Sequence, residues 1–367
     1  MTLYRHLIRP LLFRLDPEFA HRLSISACRY AALCPGIPQL LGRYQTVRDP
    51  VLQSELAGLT FANPIGLAAG WDKSGQALRL LGSLGLGFAE IGSISSQPSL
   101  GNPRPRLFRL PTDRALVVNY GLPNDGAECV RDRLSRFDAA IPLGINIVKT
   151  NHGSSTGLCS ETEILSDYLQ SVTMLHAYAS YLMLNLSCPN AEGGQDYFAQ
   201  PGNISKLLQE LRSLEMTCPV FLKVPPDPSA AAMERLIGES HDFGFVKGFM
   251  FNLPRGKPES LRLQTASAVW RNMPGAVSGP PVAALIDECI RELYSRMPRD
   301  RFHIIAAGGT CTAEDAYRRI QLGASLIQIY TALVYEGPAV IPKINRGLAR
   351  LLERDGHQHI SDAIGTA

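Results

Sequence analysis

The chain contains the stretch Tyr181-Leu182-Met183-Leu184-Asn185-Leu186-Ser187-Cys188-Pro189-Asn190. Its first four residues form an apolar run typical of a buried strand, and the proline ends backbone pairing. The run is followed by amides, a hydroxyl and a thiol. Amides pair with a flat polar ligand, and a thiol serves as a base or a nucleophile. Taken alone, Cys188 is more often a small buried apolar residue, so its interpretation depends on the rest of the chain.

Similar apolar runs recur along the chain, and helix-like segments separate most of them. The predicted strands are Phe61–Leu67, Phe88–Ile94, Leu143–Val148, Tyr181–Ser187, Val220–Val224, Phe245–Asn252, His303–Ala307 and Leu326–Tyr330. The predicted helices are Gln76–Leu84, Ala127–Phe137, Glu161–His176, Ile204–Leu214, Ala230–Ser240, Val282–Met297 and Thr312–Leu322. Eight alternating units predict an α/β fold, a (β/α)8 TIM barrel with a small N-terminal helical extension. A doubly wound sheet is the alternative, although no Gly-x-Gly-x-x-Gly follows the first run.

We divide the chain into four parts on this basis. They are an N-terminal helical segment (1–40), a linker (41–60), the barrel (61–350) and a C-terminal tail (351–367).

Polar residues follow nearly every predicted strand. They are Lys73, Ser93, Asn146, Lys149, Asn185, Lys223, Asn252, Gly308-Gly309 and Tyr330-Thr331. Active sites of these barrels lie at the carboxyl ends of the strands, so the residues predict one site that includes Cys188. Glycines after strand seven, with Gly279, allow backbone amides to approach a phosphate-bearing cofactor. A lyase that uses Lys73 or Lys223 as a Schiff-base amine stays open at this point.

Bulk composition narrows the function classes. The 367 residues are 45% hydrophobic and 19% charged with a net charge of +3, which gives no case for a nucleic-acid partner. The eight cysteines contain no Cys-x-x-Cys pair, so we expect neither a metal site nor disulfides. No apolar run reaches the ~20 residues of a membrane span.

The N-terminal segment carries a charge of its own. Residues 1–49 hold seven arginines against three acidic side chains, a net charge of +4, so the remaining residues sum to about −1. Leu3, Leu7 and Leu11 recur at helical spacing. The two predicted helices of residues 1–36 either pack on the barrel or lie on a bilayer, where Arg5, Arg9 and Arg14 would meet anionic head groups.

Several motifs of the chain resemble the dihydroorotate dehydrogenase family, the flavin enzymes of pyrimidine synthesis. Five motifs resemble those of the quinone-dependent class 2 members: Phe13–Arg22, Asn63–Gly70 with Asp72-Lys73, Gly101-Asn102 with Pro105–Leu110, Gln328–Leu333 and Asp362–Gly365. The resemblance covers nearly the whole chain.

The resemblance implies a site for flavin mononucleotide (FMN). It implies ring contacts by Ala68, Ala69, Gly70, Ser93, Asn146, Asn185 and Lys223, and phosphate contacts by Gly279, Gly308, Gly309, Tyr330 and Thr331. It further implies that Lys73 meets the substrate carboxylate, and that the pyrimidine amides meet Asn119, Asn185, Asn190 and Asn252. Cys188 takes the position of the base that removes the C5 proton while hydride passes from C6 to flavin N5.

The electron acceptor is the point on which the motifs disagree. Class 2 members normally have serine as the base, whereas Cys188 and the Leu122-Pro123-Asn124 loop are similar to the soluble class 1. The N-terminal helices, His21 and Arg106 are similar to class 2, so we predict quinone as the acceptor. The resemblance implies a monomeric peripheral membrane protein, on the cytoplasmic face of the inner membrane if the source is bacterial.

Near the substrate the sequence departs from the family pattern, for example at Leu253-Pro254 after Asn252. These departures keep two alternatives open. One is a paralogue that oxidises another cyclic amide or carboxylate. The other is a degenerate flavin-binding protein without turnover.

Overall fold

The computed structural model describes residues 3–153, 159–187 and 194–367. In chain order, the strands in these ranges are β1 (Ser54–Leu56), β2 (Leu59–Phe61), β3 (Ile65–Leu67), β4 (Phe88–Ile94), β5 (Leu107–Leu110), β6 (Ala115–Val118), β7 (Leu143–Ile147), β8 (Tyr181–Asn185), β9 (Val220–Val224), β10 (Val246–Phe251), β11 (Ala276–Ser278), β12 (His303–Ala307) and β13 (Leu326–Ile329).

The α-helices in the same ranges are α1 (Arg9–Phe13), α2 (Pro17–Ala31), α3 (Ile37–Gln45), α4 (Leu78–Leu81), α5 (Ala127–Leu134), α6 (Glu161–Leu175), α7 (Gly194–Ala199), α8 (Asn203–Leu211), α9 (Ala230–Ser240), α10 (Ser267–Trp270), α11 (Ala283–Arg296), α12 (Ala313–Gln321), α13 (Thr331–Glu336) and α14 (Val340–Asp355). A π-helical turn covers Tyr4–Ile8. Short 3-10 helices cover Pro50–Leu52, Gly82–Leu84, His176–Tyr178, Pro280–Val282 and Ile360–Ala363.

Eight strands form a closed parallel barrel in the order β3, β4, β7, β8, β9, β10, β12 and β13, and β13 pairs with β3 to complete it. Strands such as β7 and β8 are buried along their whole length, because one face fills the barrel and the other packs on helices. The predicted TIM barrel is therefore confirmed, and the doubly wound sheet is excluded. The prediction of one strand over Phe61–Leu67 was wrong, because Asn63-Pro64 separates β2 from β3.

A hairpin closes the end of the barrel that is opposite to the carboxyl ends of the strands. Strands β1 and β2 pair antiparallel and place Leu56 and Phe61 in a cluster with the interior side chains Phe88, Tyr181 and Phe221. The Phe61 and Phe88 rings meet edge to face, with their centroids 5.5 Å apart. Since this end is filled with rings, ligands reach the interior from the carboxyl ends of the strands.

A three-stranded antiparallel sheet lies over that open end, in the order β11, β6, β5. The sequence does not predict this sheet, because its strands are only three or four residues long and belong to separate loops. Helix α2 of the N-terminal extension packs against β5, which brings the extension to the rim of the barrel.

The N-terminal extension consists of the π-helical turn, α1, α2 and α3. Helix α2 begins where the Asp16 side chain accepts a hydrogen bond from the Phe19 amide at 2.8 Å, as the Asp-Pro-Glu sequence predicts. Helix α3 lies across the predicted boundary at residue 40, and α14 lies across the one at residue 350. None of the described helices is long and apolar enough to cross a membrane.

Candidate active site

A cavity at the carboxyl ends of the strands, here called the rim cavity, gathers most of the predicted cofactor residues. Its lining includes Ala69, Gly70, Lys223, Asn252, Gly279, Gly308, Gly309, Tyr330 and Thr331, all of which the sequence indicated. Further lining residues are Tyr120, Ser278 and Gln328. Residues from loops far apart in the chain meet here because every parallel strand ends at the same rim.

Three glycines form a concave backbone surface in this cavity. Gly279, Gly308 and Gly309 have φ angles of +98°, +92° and +90°, a backbone region that favours glycine. A Cβ atom on Gly309 would lie 2.9 Å from Cβ of Ala283 and 3.1 Å from the Gly279 carbonyl oxygen. The three loops are therefore packed too closely for side chains, and their backbone is exposed to a ligand.

A buried carboxylate, Glu90, is joined to the lining of the cavity through Gln328. Glu90 accepts hydrogen bonds from Asn146 Nδ2 at 2.8 Å, from the Tyr181 hydroxyl at 2.9 Å and from Gln328 Nε2 at 2.7 Å. The opposite amide atoms, Asn146 Oδ1 and Gln328 Oε1, are buried and accept no hydrogen bond from any described residue. Because buried acceptors are normally satisfied, these two atoms indicate a ligand with hydrogen-bond donors.

A second polar network joins three strand ends. Asn252 Nδ2 lies 3.3 Å from Asn185 Oδ1 and 3.2 Å from the Ser187 hydroxyl, and Asn185 Nδ2 donates to the Ser93 hydroxyl at 3.1 Å. Ser187 is also tied to strand β9, since its hydroxyl donates to the Lys223 carbonyl at 3.1 Å. This network fixes the two predicted substrate amides Asn185 and Asn252 relative to each other.

Asn119 lies beside the cavity rather than in its lining. Its Oδ1 accepts a hydrogen bond from Asn102 Nδ2 at 3.1 Å, and Asn102 in turn accepts from Asn151 at 3.2 Å. The neighbours Val118 and Tyr120 do line the cavity.

Lys73 is enclosed by aromatic residues at the border between the barrel and the N-terminal extension. Its Nζ lies 4.0 Å from the centroid of the Tyr120 ring and 3.4 Å from His21 Nε2. Burial lowers the pKa of Lys73 to about 7, although Glu18 and Asp72 act in the opposite direction. No described carboxylate forms an ion pair with it, so an anionic ligand would stabilise the ammonium form.

His21 has a defined tautomer. Nε2 lies 2.8 Å from the Trp71 carbonyl oxygen, which only accepts, so Nε2 carries the hydrogen. Nδ1 therefore accepts from the Tyr330 hydroxyl at 3.1 Å. Burial and the charge of Lys73 hold the pKa of His21 well below its usual value, so the ring is neutral at pH 7.

A second cavity, here called the apolar cleft, lies between the N-terminal extension and the barrel. Its lining is mainly apolar and includes Leu12, Phe13, Ala20, Leu67, Trp71, Leu80 and Leu333. The polar side chains in it include His21, Arg109 and Tyr330. Tyr330 also lines the rim cavity, so this one residue separates the two spaces.

Arg106, the residue indicated beside His21, is not in the apolar cleft. Its guanidinium forms a buried, two-pronged ion pair with Glu18, at 2.8 Å from Nη2 and 3.1 Å from Nε. Burial raises the pKa of Glu18, but the hydrogen bonds and charge of Arg106 outweigh it and hold the pKa below its usual value. Arg106 thus fastens α2 to the barrel, and Arg109, three residues further on, is the arginine that faces the cleft.

Two predicted residues, Cys188 and Asn190, lie outside the described part of the chain. Sequence reasoning missed Glu90, Arg109 and Gln328 as site residues. A glutamate inside the apolar run Phe88-Ala89-Glu90-Ile91 was the available signal for the first, because an acidic residue is seldom buried without partners. The ranges that the structure describes contain no group of His, Cys, Asp and Glu side chains suited to hold a metal ion.

Comparison with known proteins identifies relatives over nearly the whole chain. The family model for dihydroorotate dehydrogenase matches residues 51–352. The chain is 38% identical over 361 residues to dihydroorotate dehydrogenase (quinone) of Mycobacterium tuberculosis strain H37Rv, with 98% of each chain covered. It is 36% identical over 373 residues to the enzyme of the same name from Deinococcus deserti, with 99% of each covered.

A solved structure is similar over nearly the same length. The crystal structure of the dihydroorotate dehydrogenase of Eimeria tenella in complex with ferulenol matches with a TM-score of 0.81 and 29% identity, over 96% of this chain and 95% of that chain. The fold and site define an oxidoreductase barrel of the flavin-dependent kind. The chain belongs to the dihydroorotate dehydrogenase family.

Proposed function

We propose that the protein oxidises dihydroorotate to orotate with bound FMN, in pyrimidine biosynthesis, and passes the electrons to a quinone. Its full-length relatives bear the name dihydroorotate dehydrogenase (quinone). One observation carries the proposal: Tyr330 lines both the rim cavity and the apolar cleft. An electron carrier in the first space is therefore next to an apolar acceptor in the second. Membership of the family argues against the barrel lyase considered from the sequence.

The residues of the rim cavity fit FMN. The glycine backbone at Gly279, Gly308 and Gly309 suits a phosphate, and the acceptors Asn146 Oδ1 and Gln328 Oε1 suit the donor groups of a flavin ring. The proposed contacts also include Ala69, Gly70, Ser93, Lys223 and Thr331. When bound, the flavin accepts two electrons from the substrate and passes them to the second acceptor.

The chain's own residues bind the substrate and move its proton. In this proposal Lys73 meets the carboxylate, while Asn185 and Asn252, fixed by their shared network, meet the ring amides. Asn119 and Asn190 supply further amides. Cys188 removes the C5 proton; a thiol ionises near pH 8.5, so it needs less activation than a hydroxyl would.

The apolar cleft suits the quinone. Its walls are mainly apolar, and Tyr330, His21 and Arg109 are among the polar residues that line it. The Tyr330 hydroxyl donates to His21 Nδ1, which leaves its oxygen lone pairs for the ligand. The Arg109 guanidinium donates through Nη1 to the Leu15 carbonyl at 3.0 Å and has further N–H groups to offer. We therefore propose that His21 and Arg109 contact the quinone. Arg106 has the role of holding α2 in place.

We further propose that the extension binds peripherally to a membrane. Among the described residues, eleven of the fourteen exposed large apolar side chains lie between Leu3 and Tyr44. Such a concentration marks an interaction surface.

Anaerobic spectroscopy of the purified protein tests the proposed reaction. We expect a yellow protein that dihydroorotate bleaches and that a quinone then restores to its oxidised spectrum. A yellow protein that orotate does not perturb and dihydroorotate does not bleach would contradict the proposed substrate and favour the paralogue. A bleached protein that fumarate restores faster than quinone does would contradict the proposed acceptor.

A further inference from the structure

The arginines of the N-terminal extension have different surroundings. Arg5 pairs with Glu336 at 3.4 Å, and Arg9 donates to the Tyr335 carbonyl at 2.9 Å. Both side chains hold the extension against α13 of the barrel. The expectation that Arg5, Arg9 and Arg14 meet anionic head groups stays a prediction, but two of these arginines also contact the barrel.

A third cavity, here called the basic cleft, lies where the end of α2 meets α4 and α5. It has a volume of about 440 Å³. Four arginines line it: Arg29, Arg79, Arg133 and Arg136. Leu33 and Phe137 are among its apolar lining residues. The cleft is formed jointly by the extension and the barrel.

Three of the four arginines have no counter-ion among the described residues. Arg133 forms an ion pair with Asp125 at 3.0 Å, and the one acidic lining residue, Asp132, is paired with Arg131 at 2.9 Å. Arg29, Arg79 and Arg136 are exposed and form no ion pair with any described residue. Three neighbouring cations repel one another, so the cleft favours an anion that bridges them.

The apolar surface of the extension adjoins this cleft. Leu33 lines the cleft and is 61% exposed, and Tyr30, next to Arg29, is 64% exposed. A ligand there meets cations on one side and open apolar side chains on the other. That combination matches an amphipathic anion and is not needed for a small soluble one.

We propose that the basic cleft binds the phosphate head group of an anionic phospholipid, through Arg29, Arg79 and Arg136, while the adjoining apolar side chains enter the lipid layer. This inference rests on the peripheral membrane association proposed above. Because α2 carries Arg29 and the barrel carries Arg79 and Arg136, the bound lipid fixes the extension, and with it the apolar cleft, on the membrane surface.

Vesicle sedimentation of the full-length holoprotein tests the site. One set of vesicles contains phosphatidylcholine alone, and the other contains phosphatidylcholine with phosphatidylglycerol. The test variant is R29Q/R79Q/R136Q, and the control R212Q/R291Q/R350Q makes the same charge change at exposed arginines outside the cleft. We expect the test variant to bind anionic vesicles roughly a hundredfold more weakly than the wild type does. Its binding to neutral vesicles and its turnover with a soluble quinone should stay unchanged.

The outcomes separate the site from the membrane association on which it rests. A wild type that sediments with neither vesicle contradicts the membrane association itself. A wild type that binds both vesicles equally, or test and control variants that weaken equally, overturns the head-group site alone. A test variant that loses affinity for inorganic phosphate but still binds anionic vesicles as the wild type does would also overturn it, because the cleft would then bind free phosphate and not a head group.

Discussion

The rim of the barrel and the N-terminal extension both depart from the usual distribution of side chains. Polar groups are buried at the rim, and apolar groups are exposed on the extension. At the rim, Glu90 and Asn146 are completely buried, whereas Leu11 and Leu33 on the extension are each 61% exposed. Buried polar groups with spare acceptors mark a site for a polar ligand, and exposed apolar groups mark an amphipathic interface. The difference suggests that the two half-reactions use different regions, which meet at Tyr330.

The largest effect that we predict is on cofactor binding at the rim of the barrel. Gly309→Asp should bring a carboxylate against the cofactor phosphate, a repulsion of roughly 4 kcal/mol, or about a thousandfold in affinity. Flavin per chain, measured by absorbance after gel filtration, should collapse and abolish both half-reactions. Gly202→Asp is the control, because Gly202 also has a positive φ but an added Cβ would meet open space. Full flavin content in Gly309→Asp would show that another loop holds the phosphate.

A substitution at Cys188 distinguishes the two half-reactions, because the base should serve flavin reduction only. Cys188→Ala should slow flavin reduction by dihydroorotate roughly 10²- to 10⁴-fold, the usual worth of a positioned base. Reoxidation by quinone should stay at the wild-type rate. Cys129→Ala, at an exposed cysteine, is the control for stopped-flow measurements of both steps. A wild-type reduction rate in Cys188→Ala would remove Cys188 from the mechanism.

Lys73 lies on the border between the two regions, and its pKa makes it a pH-dependent test. An orotate carboxylate favours the ammonium form, which predominates below the pKa of about 7. Above that pH the free protein must take up a proton on binding, so affinity should fall by about tenfold per pH unit. Lys73→Met should bind orotate roughly ten- to a hundredfold more weakly at pH 6 and should lose this pH dependence. Titration of the flavin spectrum with orotate measures the affinity and its pH dependence. An unchanged pH profile in Lys73→Met would exclude Lys73 as the carboxylate ligand.

The sequence predicted the barrel well because its strands are apolar runs separated by amphipathic helices, and periodicity records both. The bounds of β4, β9, β12 and α9 agree with the predicted ones. It did not predict the rim sheet β5, β6 and β11, because strands of three or four residues in loops leave no periodic pattern. It also missed α14 after the last predicted strand.

The rim residues were predictable for a related reason, since every strand end was expected at one edge. The choice between Arg106 and Arg109 was not predictable, because both lie in the same short segment, Pro105–Leu110. Only the partner Glu18, 88 residues away, shows that Arg106 is engaged in a buried ion pair. Similarly, nothing local indicates that Arg5 and Arg9 contact the barrel through Glu336 and Tyr335.

The central claim is that the rim cavity and the apolar cleft carry separate half-reactions. Ser24→Trp tests it most directly, because Ser24 lines the apolar cleft and does not line the rim cavity. Ser26→Trp, at an exposed position on the same helix, is the control. Both half-reactions are measured anaerobically by stopped flow on the full-length holoprotein. We predict that flavin reduction by dihydroorotate stays within about twofold of the wild type, while reoxidation by quinone falls about tenfold or more because the added ring fills the cleft. Unchanged reoxidation by quinone, or an equal loss in both steps, would contradict the separation.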